Sequence, residues 1–116
     1  MEGYIDEYGQ ARVNIAVSGR KMQITMRPVI DTGFDGDICL PLQVAIQLGL
    51  ELSGSIKVEL ADGSIKRELV FSGSTKFGEE VKKARITLTE SKDALLGTKM
   101  FSYLEIDFEG KRVRIE

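Results

Sequence analysis

Residues 29–41 read VIDTGFDGDICLP. The apolar pair Val29-Ile30 leads directly to the carboxylate of Asp31, and Thr32 and Gly33 come next. A buried strand would fix the position of the acid, and glycine lets the backbone turn sharply enough to bring its N–H close to the carboxylate. The segment therefore predicts an acidic side chain held between a buried strand and a glycine-rich loop.

Alternating apolar and polar residues surround this segment, and a period of two indicates β-strands. Residues 11–26 alternate on both sides of Ser18-Gly19, which predicts a hairpin whose second strand runs into Val29-Ile30. Residues 56–69 predict a second hairpin about Asp62-Gly63, with both central turn residues at positive φ. Residues 38–40 are a short apolar run that predicts a strand, and further alternating runs predict strands over residues 84–88, 104–108 and 113–115.

One helix is expected over Pro41–Leu48, because proline suits the first helical position and Gly49 suits the residue just past the end. Residues 98–102 are expected to form at most a single helical turn. With about eight short strands, the predicted fold is mostly β, a closed or partly closed barrel with one helix and a short helical turn. A length of 116 residues predicts one domain, 1–116.

The composition excludes several kinds of active site. The chain has no histidine, so it has no imidazole base for a serine or cysteine nucleophile and no histidine ligand for zinc. The one cysteine, Cys39, lies in an apolar run, which favours a buried and unreactive thiol. The aspartates of residues 31–37 do not fit a calcium loop, since Gly33 and Leu42 stand where acids or amides are required. No metal and no cofactor is expected, and acid–base chemistry must come from carboxylates, lysines or tyrosines.

Charge and hydropathy give expectations about partners and location. A net charge of −2, from 16 basic and 18 acidic residues, offers no basic stripe to a nucleic acid. Residues 73–78 begin like a phosphate-binding loop but continue into Glu79-Glu80, whose charge repels phosphate. The acidic segment 1–10 lacks the apolar run of a secretory signal, and no apolar run is long enough to span a membrane. The expectation is a cytoplasmic protein that binds neither nucleic acid nor membrane.

Three motifs together resemble the retropepsin-like aspartic peptidases, especially the small single-domain bacterial and archaeal members. Asp31-Thr32-Gly33 is similar to the family's active-site loop, and Leu95-Leu96-Gly97 is similar to the segment that crosses behind that loop. The hairpin at Asp62-Gly63 falls between them, where the family has its flap. The resemblance implies that Asp31 is catalytic and that the loop is supported by Thr32, Gly33, Leu95, Leu96 and Gly97. The substrate contacts that it implies are Phe34, Asp35, Asp62, Gly63 and Ser64.

Two residues depart from the family pattern. Phe34 stands where many retropepsins have alanine or serine. Thr98 stands where viral members have an arginine that pairs with the second aspartate of the loop. That ion pair is not available here in the same form, so the role of Asp35 stays open.

The chemistry of this family needs two carboxylates that share one proton. The chain has no second Asp-Thr-Gly or Asp-Ser-Gly motif. The resemblance therefore implies a homodimer in which a twofold axis brings Asp31 next to its own copy. The Thr32 hydroxyl is expected to bond across to the partner's backbone, and the terminal strand Val113–Glu116 is a candidate for pairing between the chains.

The expected function is an aspartic endopeptidase, in which two Asp31 carboxylates, one per chain, activate a water that hydrolyses a peptide bond. An extended peptide would bind beneath the flaps as an added strand. Its side chains are expected to enter apolar pockets formed by Phe34, Ile56, Ile65 and Leu95. The alternative is a dimeric peptide-binding or assembly domain with the same fold and little turnover.

Overall fold

A computed structural model describes residues 1–116 and shows twelve β-strands, one α-helix and one 3-10 helix. The strands are β1 (Glu2–Ile5), β2 (Ala11–Arg12), β3 (Ile15–Ser18), β4 (Gln23–Met26), β5 (Val29–Ile30), β6 (Ile38–Pro41), β7 (Glu51–Glu59), β8 (Ile65–Phe77), β9 (Glu80–Thr89), β10 (Leu95–Leu96), β11 (Leu104–Asp107) and β12 (Arg112–Ile115). The helices are α1 (Leu42–Leu48) and the 3-10 helix Thr98–Met100. The mostly-β prediction is confirmed, and both predicted helical segments are present.

All the strands belong to one sheet that does not close on itself. Its order is β11-β12-β1-β2-β5-β10-β6-β9-β8-β3-β4, with β7 joined to β8 beside this path. The strands at the two ends of this order, β11 and β4, do not pair with each other. The sheet is therefore open, and a fully closed barrel, one of the two predicted forms, does not occur. The strand count exceeds the predicted one for three reasons: β1 was not expected in the acidic N-terminal segment, residues 11–18 divide into β2 and β3, and the two-residue strands β5 and β10 are separate elements.

The shortest strands hold the candidate loop in place. Strand β10 lies between β5 and β6: Leu95 pairs in parallel with Val29 and antiparallel with Cys39, and Leu96 pairs likewise with Ile30 and Ile38. The loop that joins β5 to β6, residues 31–37, therefore starts and ends on either side of the same two-residue strand. This arrangement fixes both ends of the loop although β5 and β10 have only two residues each.

The long hairpin β7–β8 forms where Asp62-Gly63 predicts it, but with a different turn. Residues 59 and 65 are the last ladder pair, the N–H of Gly63 donates to the carbonyl of Leu60, and the N–H of Leu60 donates to the carbonyl of Ser64. Gly63 is the only residue of this turn with a positive φ, which is 85°. The loop is therefore a three-residue one with a single left-handed glycine, rather than a two-residue turn that needs positive φ at both central positions.

Helix α1 ends at the residue that the sequence indicates but begins one residue later than predicted, because Pro41 has an extended conformation and belongs to β6. Pro41 is the N-cap with a ψ of 144°, and Gly49 closes the helix in the left-handed conformation, with φ 69° and ψ 48°. The N–H of Gly49 donates to the carbonyls of Ala45 and Ile46, which satisfies the end of the helix. Ala45 and Leu48 are buried and anchor the helix to the core.

The C-terminal strand β12 is hydrogen-bonded on both edges within its own chain. Its residue Val113 pairs with Gly3 of β1 on one side and with Ile106 of β11 on the other. Strand β12 thus has no free edge to offer a second copy, and the expectation that Val113–Glu116 pairs between chains is wrong. The predicted alternation of buried and exposed side chains in this strand is confirmed, since Val113 and Ile115 are buried and Arg112 and Arg114 are exposed.

One apolar core of 15 buried residues lies against the sheet. Leu40, Leu48, Ile86 and Leu96 are completely buried within it. Burying such a side chain stabilises the folded state by about 1.5–3 kcal/mol. The buried Leu96 side chain therefore holds β10 in place beneath the loop. No helix of the fold has the length and apolar character that crossing a membrane would require.

Candidate active site

Backbone hydrogen bonds fix the half-buried Asp31 at the end of β5. Its N–H donates to the carbonyl of Leu96 at 3.0 Å, and its carbonyl accepts the N–H of Phe34 at 3.1 Å. The N–H of Gly33 donates to Asp31 Oδ1 at 2.9 Å and is the only donor within the chain to that carboxylate. One carboxylate oxygen is thus oriented by the loop, and the other is free for a water or for a second acid.

The segment after β10 supports the loop from behind through three backbone hydrogen bonds. Gly97 N–H donates to the carbonyl of Asp37 at 2.7 Å, Thr98 N–H to that of Phe34 at 2.9 Å, and Lys99 N–H to that of Gly36 at 3.2 Å. A Cβ added to Gly97 would collide with the Gly36 carbonyl oxygen. The structure therefore brings Leu95, Leu96 and Gly97 together with the Asp31 loop.

Asp37 holds the far end of the loop, a role that the sequence did not suggest. Its Oδ2 accepts the backbone N–H of Arg85 in β9 at 2.8 Å, and its own carbonyl accepts the N–H of Gly97. In the sequence, Asp37 appeared only as a calcium-ligand candidate. Its place directly before the buried strand β6 is the one signal that could have indicated an anchoring role.

A cavity of about 490 Å³ lies between this loop, the β7–β8 hairpin and β9. Phe34 and Asp35 line it from the loop, while Ile56 and Val70 line it from the hairpin. The remaining lining residues are Gly36, Asp37, Cys39, Val58, Glu68, Arg85, Thr87, Leu88, Thr89 and Lys99. Its lining combines apolar side chains with charged residues of both signs, and Asp31 itself is not part of its wall.

A second cavity of about 380 Å³ adjoins Asp31 and shares no lining residue with the first. Its wall is formed by Gln10, Val29, Ile30, Asp31, Thr32, Ser91, Asp93 and Leu95. Of the predicted pocket residues, Phe34 and Ile56 thus line the larger cavity and Leu95 lines the smaller one. Ile65 lines neither and is 69% exposed near the hairpin tip.

The predicted flap residues form a self-contained turn. Asp62 Oδ1 accepts the N–H of Ser64 at 2.9 Å and its hydroxyl at 2.6 Å, and these bonds lower the pKa of the Asp62 carboxyl. Asp62, Gly63 and Ser64 are exposed and line neither cavity. Within one chain, the strands of the hairpin line the larger cavity, and the turn at its tip lines neither that cavity nor the one that contains Asp31.

A charged network next to the smaller cavity was missed by the sequence analysis. Arg12 donates from Nε to Asp6 Oδ2 at 2.6 Å, from Nη2 to Asp93 Oδ1 at 3.3 Å, and from Nη1 to the carbonyl of Arg27 at 2.8 Å. The hydrogen bond from Arg12 lowers the pKa of Asp6, and the bond to Asp6 raises the pKa of Arg12. No local sequence pattern predicts these contacts, because Asp93 is 81 residues from Arg12 in the chain.

The thiol of Cys39 is buried at the wall of the larger cavity. Burial raises its pKa above the ordinary value, more than hydrogen bonding from Thr87 lowers it. Such a thiol stays protonated at neutral pH and is a poor nucleophile. The chain contains no group of three or more acidic or cysteine side chains placed to hold a metal ion.

The fold has a counterpart among solved structures. It is similar to the crystal structure of a retropepsin-like aspartic protease from Rickettsia conorii, with a TM-score of 0.66 over 99% of this chain and 88% of that one. The two sequences are 19% identical. No protein-family model matches the chain, and no curated protein matches it. The chain therefore has the retropepsin-like fold that the three motifs predicted.

Proposed function

We propose that this chain is an aspartic endopeptidase that acts as a homodimer and uses one Asp31 from each copy. The observation that carries the proposal is the arrangement of Asp31. It ends a buried strand, accepts the N–H of Gly33 through one oxygen, and leaves the other oxygen without a partner in the chain. The likeness of the fold to a retropepsin-like aspartic protease supports the same reaction class.

The other acids near Asp31 are poor candidates for a second catalytic carboxylate. Asp37 is engaged by the N–H of Arg85, and Asp93 by the guanidinium of Arg12. Asp35 lines the larger cavity, which Asp31 does not reach. A second carboxylate therefore has to come from a second chain, and a twofold axis near residue 31 supplies it.

The reaction follows from what two adjacent carboxylates do when a water lies between them. Like charges a few ångströms apart cannot both ionise, so the pair holds one proton, as in the aspartic-protease dyads that define this chemistry. The ionised member takes a proton from a water, which attacks the peptide carbonyl, and the protonated member gives its proton to the carbonyl oxygen. The tetrahedral diol then collapses: the carboxyl that gained the water's proton donates it to the amide nitrogen, a diol hydroxyl returns a proton to the other carboxylate, and the C–N bond breaks to release the amine and the new carboxylic acid. The pair titrates as a unit, and we expect activity at acidic or weakly acidic pH.

The substrate in this proposal is an extended peptide lying between the loop and the β7–β8 hairpin. An apolar side chain would enter the cavity between Phe34, Ile56 and Val70. The exposed hydroxyl of Thr32 makes no hydrogen bond within the chain, which suits a bond to the second copy. Because β12 is paired on both edges, the dimer would have to form without inserting that strand between chains.

The decisive experiment compares wild type with Asp31→Asn in the cleavage of a mixed peptide library between about pH 4 and 7. Asp31→Asn should abolish cleavage and leave the unfolding midpoint and the sedimentation coefficient unchanged. Glu109→Gln is the matched control, since Glu109 is exposed and its side chain makes no hydrogen bond or ion pair. Cleavage by Asp31→Asn at the wild-type rate would overturn the mechanism.

Mixing the two proteins tests the requirement for two chains. If each dimer needs both acids, an equal mixture of wild type and Asp31→Asn leaves roughly a quarter of the dimers with two intact aspartates. Activity per wild-type chain should therefore fall as the inactive variant is added. Activity that stays proportional to the wild-type concentration would show that one chain acts alone.

The alternative function, a peptide-binding or assembly domain with little turnover, is supported by the position of Phe34. An added Cβ on Gly36 would lie 2.6 Å from this ring, and one on Gly97 would lie 2.8 Å from it, so the ring packs closely on the loop backbone. Because the Phe34 ring also lines the larger cavity, it takes up space that a peptide side chain would otherwise occupy. Tight binding of library peptides by wild type without any cleavage would favour this alternative.

A further inference from the structure

The smaller cavity beside Asp31 differs from the larger one in the sign of its charge. Its two charged wall residues, Asp31 and Asp93, are both acids, and no lysine or arginine lines it. The larger cavity has Arg85 and Lys99 among its lining residues. A charged group that enters the smaller cavity thus meets negative charge and no positive charge in the wall.

Arg12, which contacts the wall residues Gln10 and Asp93, lies outside the wall and is already paired. Arg12 is 2.6 Å from Asp6 but 3.3 Å from Asp93, and its side chain is only 16% exposed. The Asp6–Arg12 pair is neutral as a unit, so Asp93 keeps a net negative charge. The Asp93 side chain is 37% exposed, and Oδ1 is the only one of its oxygens that Arg12 contacts.

The network also gives Asp93 a fixed position beside the proposed catalytic acid. The N–H of Asp93 donates to Ser91 Oγ at 3.2 Å, and the carbonyl of the next residue, Ala94, accepts the N–H of Val29 at 2.9 Å. Val29 in turn pairs with Arg12 across β5 and β2. Asp93 is therefore tied both to the strand that carries Asp31 and to the arginine beside it.

We propose that this cavity selects substrates with a lysine or arginine side chain next to the scissile bond. The inference rests on the proposed peptidase function and adds a substrate class to it. At about 380 Å³ the cavity falls in the usual range for ligand sites, and it is lined by Asp31 and by no residue of the β7–β8 hairpin. An apolar residue further along the peptide would occupy the larger cavity, so a suitable substrate combines a basic residue with an apolar one.

The test uses two peptides that differ only by lysine or methionine at one flanking position, assayed at about pH 6, well above the pKa of an ordinary aspartate and within the weakly acidic range expected for the Asp31 pair. Because a symmetric dimer holds one such cavity on each side of the bond, both flanking positions are tried. Wild type should have a higher kcat/KM for the lysine peptide, by roughly fivefold for partly exposed charges at low salt. The preference should shrink as salt is added.

Two variants change the net charge of the smaller cavity's wall in opposite directions. Asp93→Asn should reduce the lysine-to-methionine ratio toward one. Gln10→Glu adds an acid to the same wall within reach of Arg12 and should raise the ratio, so the idea is tested even if Asp93→Asn folds poorly. Glu109→Gln, remote from the cavity, should leave the ratio unchanged.

The outcomes separate this inference from the function on which it rests. Equal cleavage of both peptides by wild type, or a ratio that neither variant moves, would overturn the charge selection and leave the peptidase intact. If wild type cleaves no peptide at all and Asp31→Asn behaves like it, both proposals fail.

Discussion

Gly97 and Gly36 face each other with no room for a side chain between their backbones. A Cβ on Gly97 would overlap the carbonyl oxygen of Gly36, and it would lie 2.8 Å from the ring of Phe34. The same contact brings the Gly97 N–H within 2.7 Å of the Asp37 carbonyl. The position of the loop that carries Asp31 thus depends on a glycine more than sixty residues away in the chain.

Gly97→Ala should therefore damage both stability and the proposed activity. The methyl group has to push β10 away from the loop, which weakens the three hydrogen bonds that support it. Overpacking of this kind costs about 1–3 kcal/mol of unfolding free energy. Urea denaturation measures the loss, and peptide cleavage should fall with it. Gly54→Ala is the control, because a Cβ at Gly54 meets nothing within 4 Å, and its unfolding free energy should stay within about 0.5 kcal/mol of wild type.

Local features of this fold were open to prediction from the sequence. The apolar pair before Asp31, the proline and glycine at the ends of α1 and the alternation in β12 each depend on neighbouring residues alone. The retropepsin-like fold followed because three such motifs occur in the right order. The site assignment made from them remains a proposal, although the structure places Asp31 and Leu95-Leu96-Gly97 together.

What could not be predicted depends on contacts between distant residues. The same Asp62-Gly63 pair fits a two-residue or a three-residue turn, and the register of β7 on β8 decides which one forms. Alternation in residues 113–115 identifies a strand but not its partner, so pairing with β1 was not foreseen. The Asp6–Arg12–Asp93 network joins three parts of the chain that only the folded sheet brings together.

Thr75→Val should stabilise the protein. The Thr75 side chain is completely buried between β3 and β9, and its hydroxyl has no hydrogen-bond partner. A buried hydroxyl without a partner costs about 1–3 kcal/mol, and valine fills nearly the same space without that cost. Urea denaturation should show a gain of about 1 kcal/mol. Thr25→Val, on the exposed face of β4, should change the unfolding free energy little; an equal or larger gain there would mean that the hydroxyl of Thr75 is not the cause.

Asp37→Ala should loosen the far end of the loop. It leaves the N–H of Arg85 without its acceptor, and a hydrogen bond of this type contributes about 0.5–1.5 kcal/mol. Asp37→Asn keeps an oxygen acceptor at the same place and should restore most of the stability. Hydrogen exchange of the Arg85 amide reports the bond directly. If the alanine and asparagine variants exchange equally fast, the Asp37 side chain does not hold β9.

Asp6→Asn should change how stability depends on pH. The hydrogen bond from Arg12, followed by that from the N–H of Gln10, lowers the pKa of Asp6 below its value of about 3.9 in an unfolded chain. A carboxyl whose pKa is lower in the folded state stabilises the protein fully above the unfolded pKa and loses that contribution as the pH falls through the folded pKa. Wild type should therefore exceed Asp6→Asn in unfolding free energy at pH 5 to 7, by an amount that shrinks below about pH 4.

Urea denaturation at a series of pH values measures this difference, and Glu109→Gln supplies the control. Its side chain takes part in no ion pair or hydrogen bond, so its small difference from wild type should not follow the Asp6→Asn curve. Arg12→Met removes the guanidinium that holds Asp6 but leaves the N–H bonds from Tyr8 and Gln10, so adding Asp6→Asn to it should change the pH dependence less than it does in wild type. A pH-dependent difference that survives in the Arg12→Met background at full size would show that Arg12 is not what lowers the pKa of Asp6.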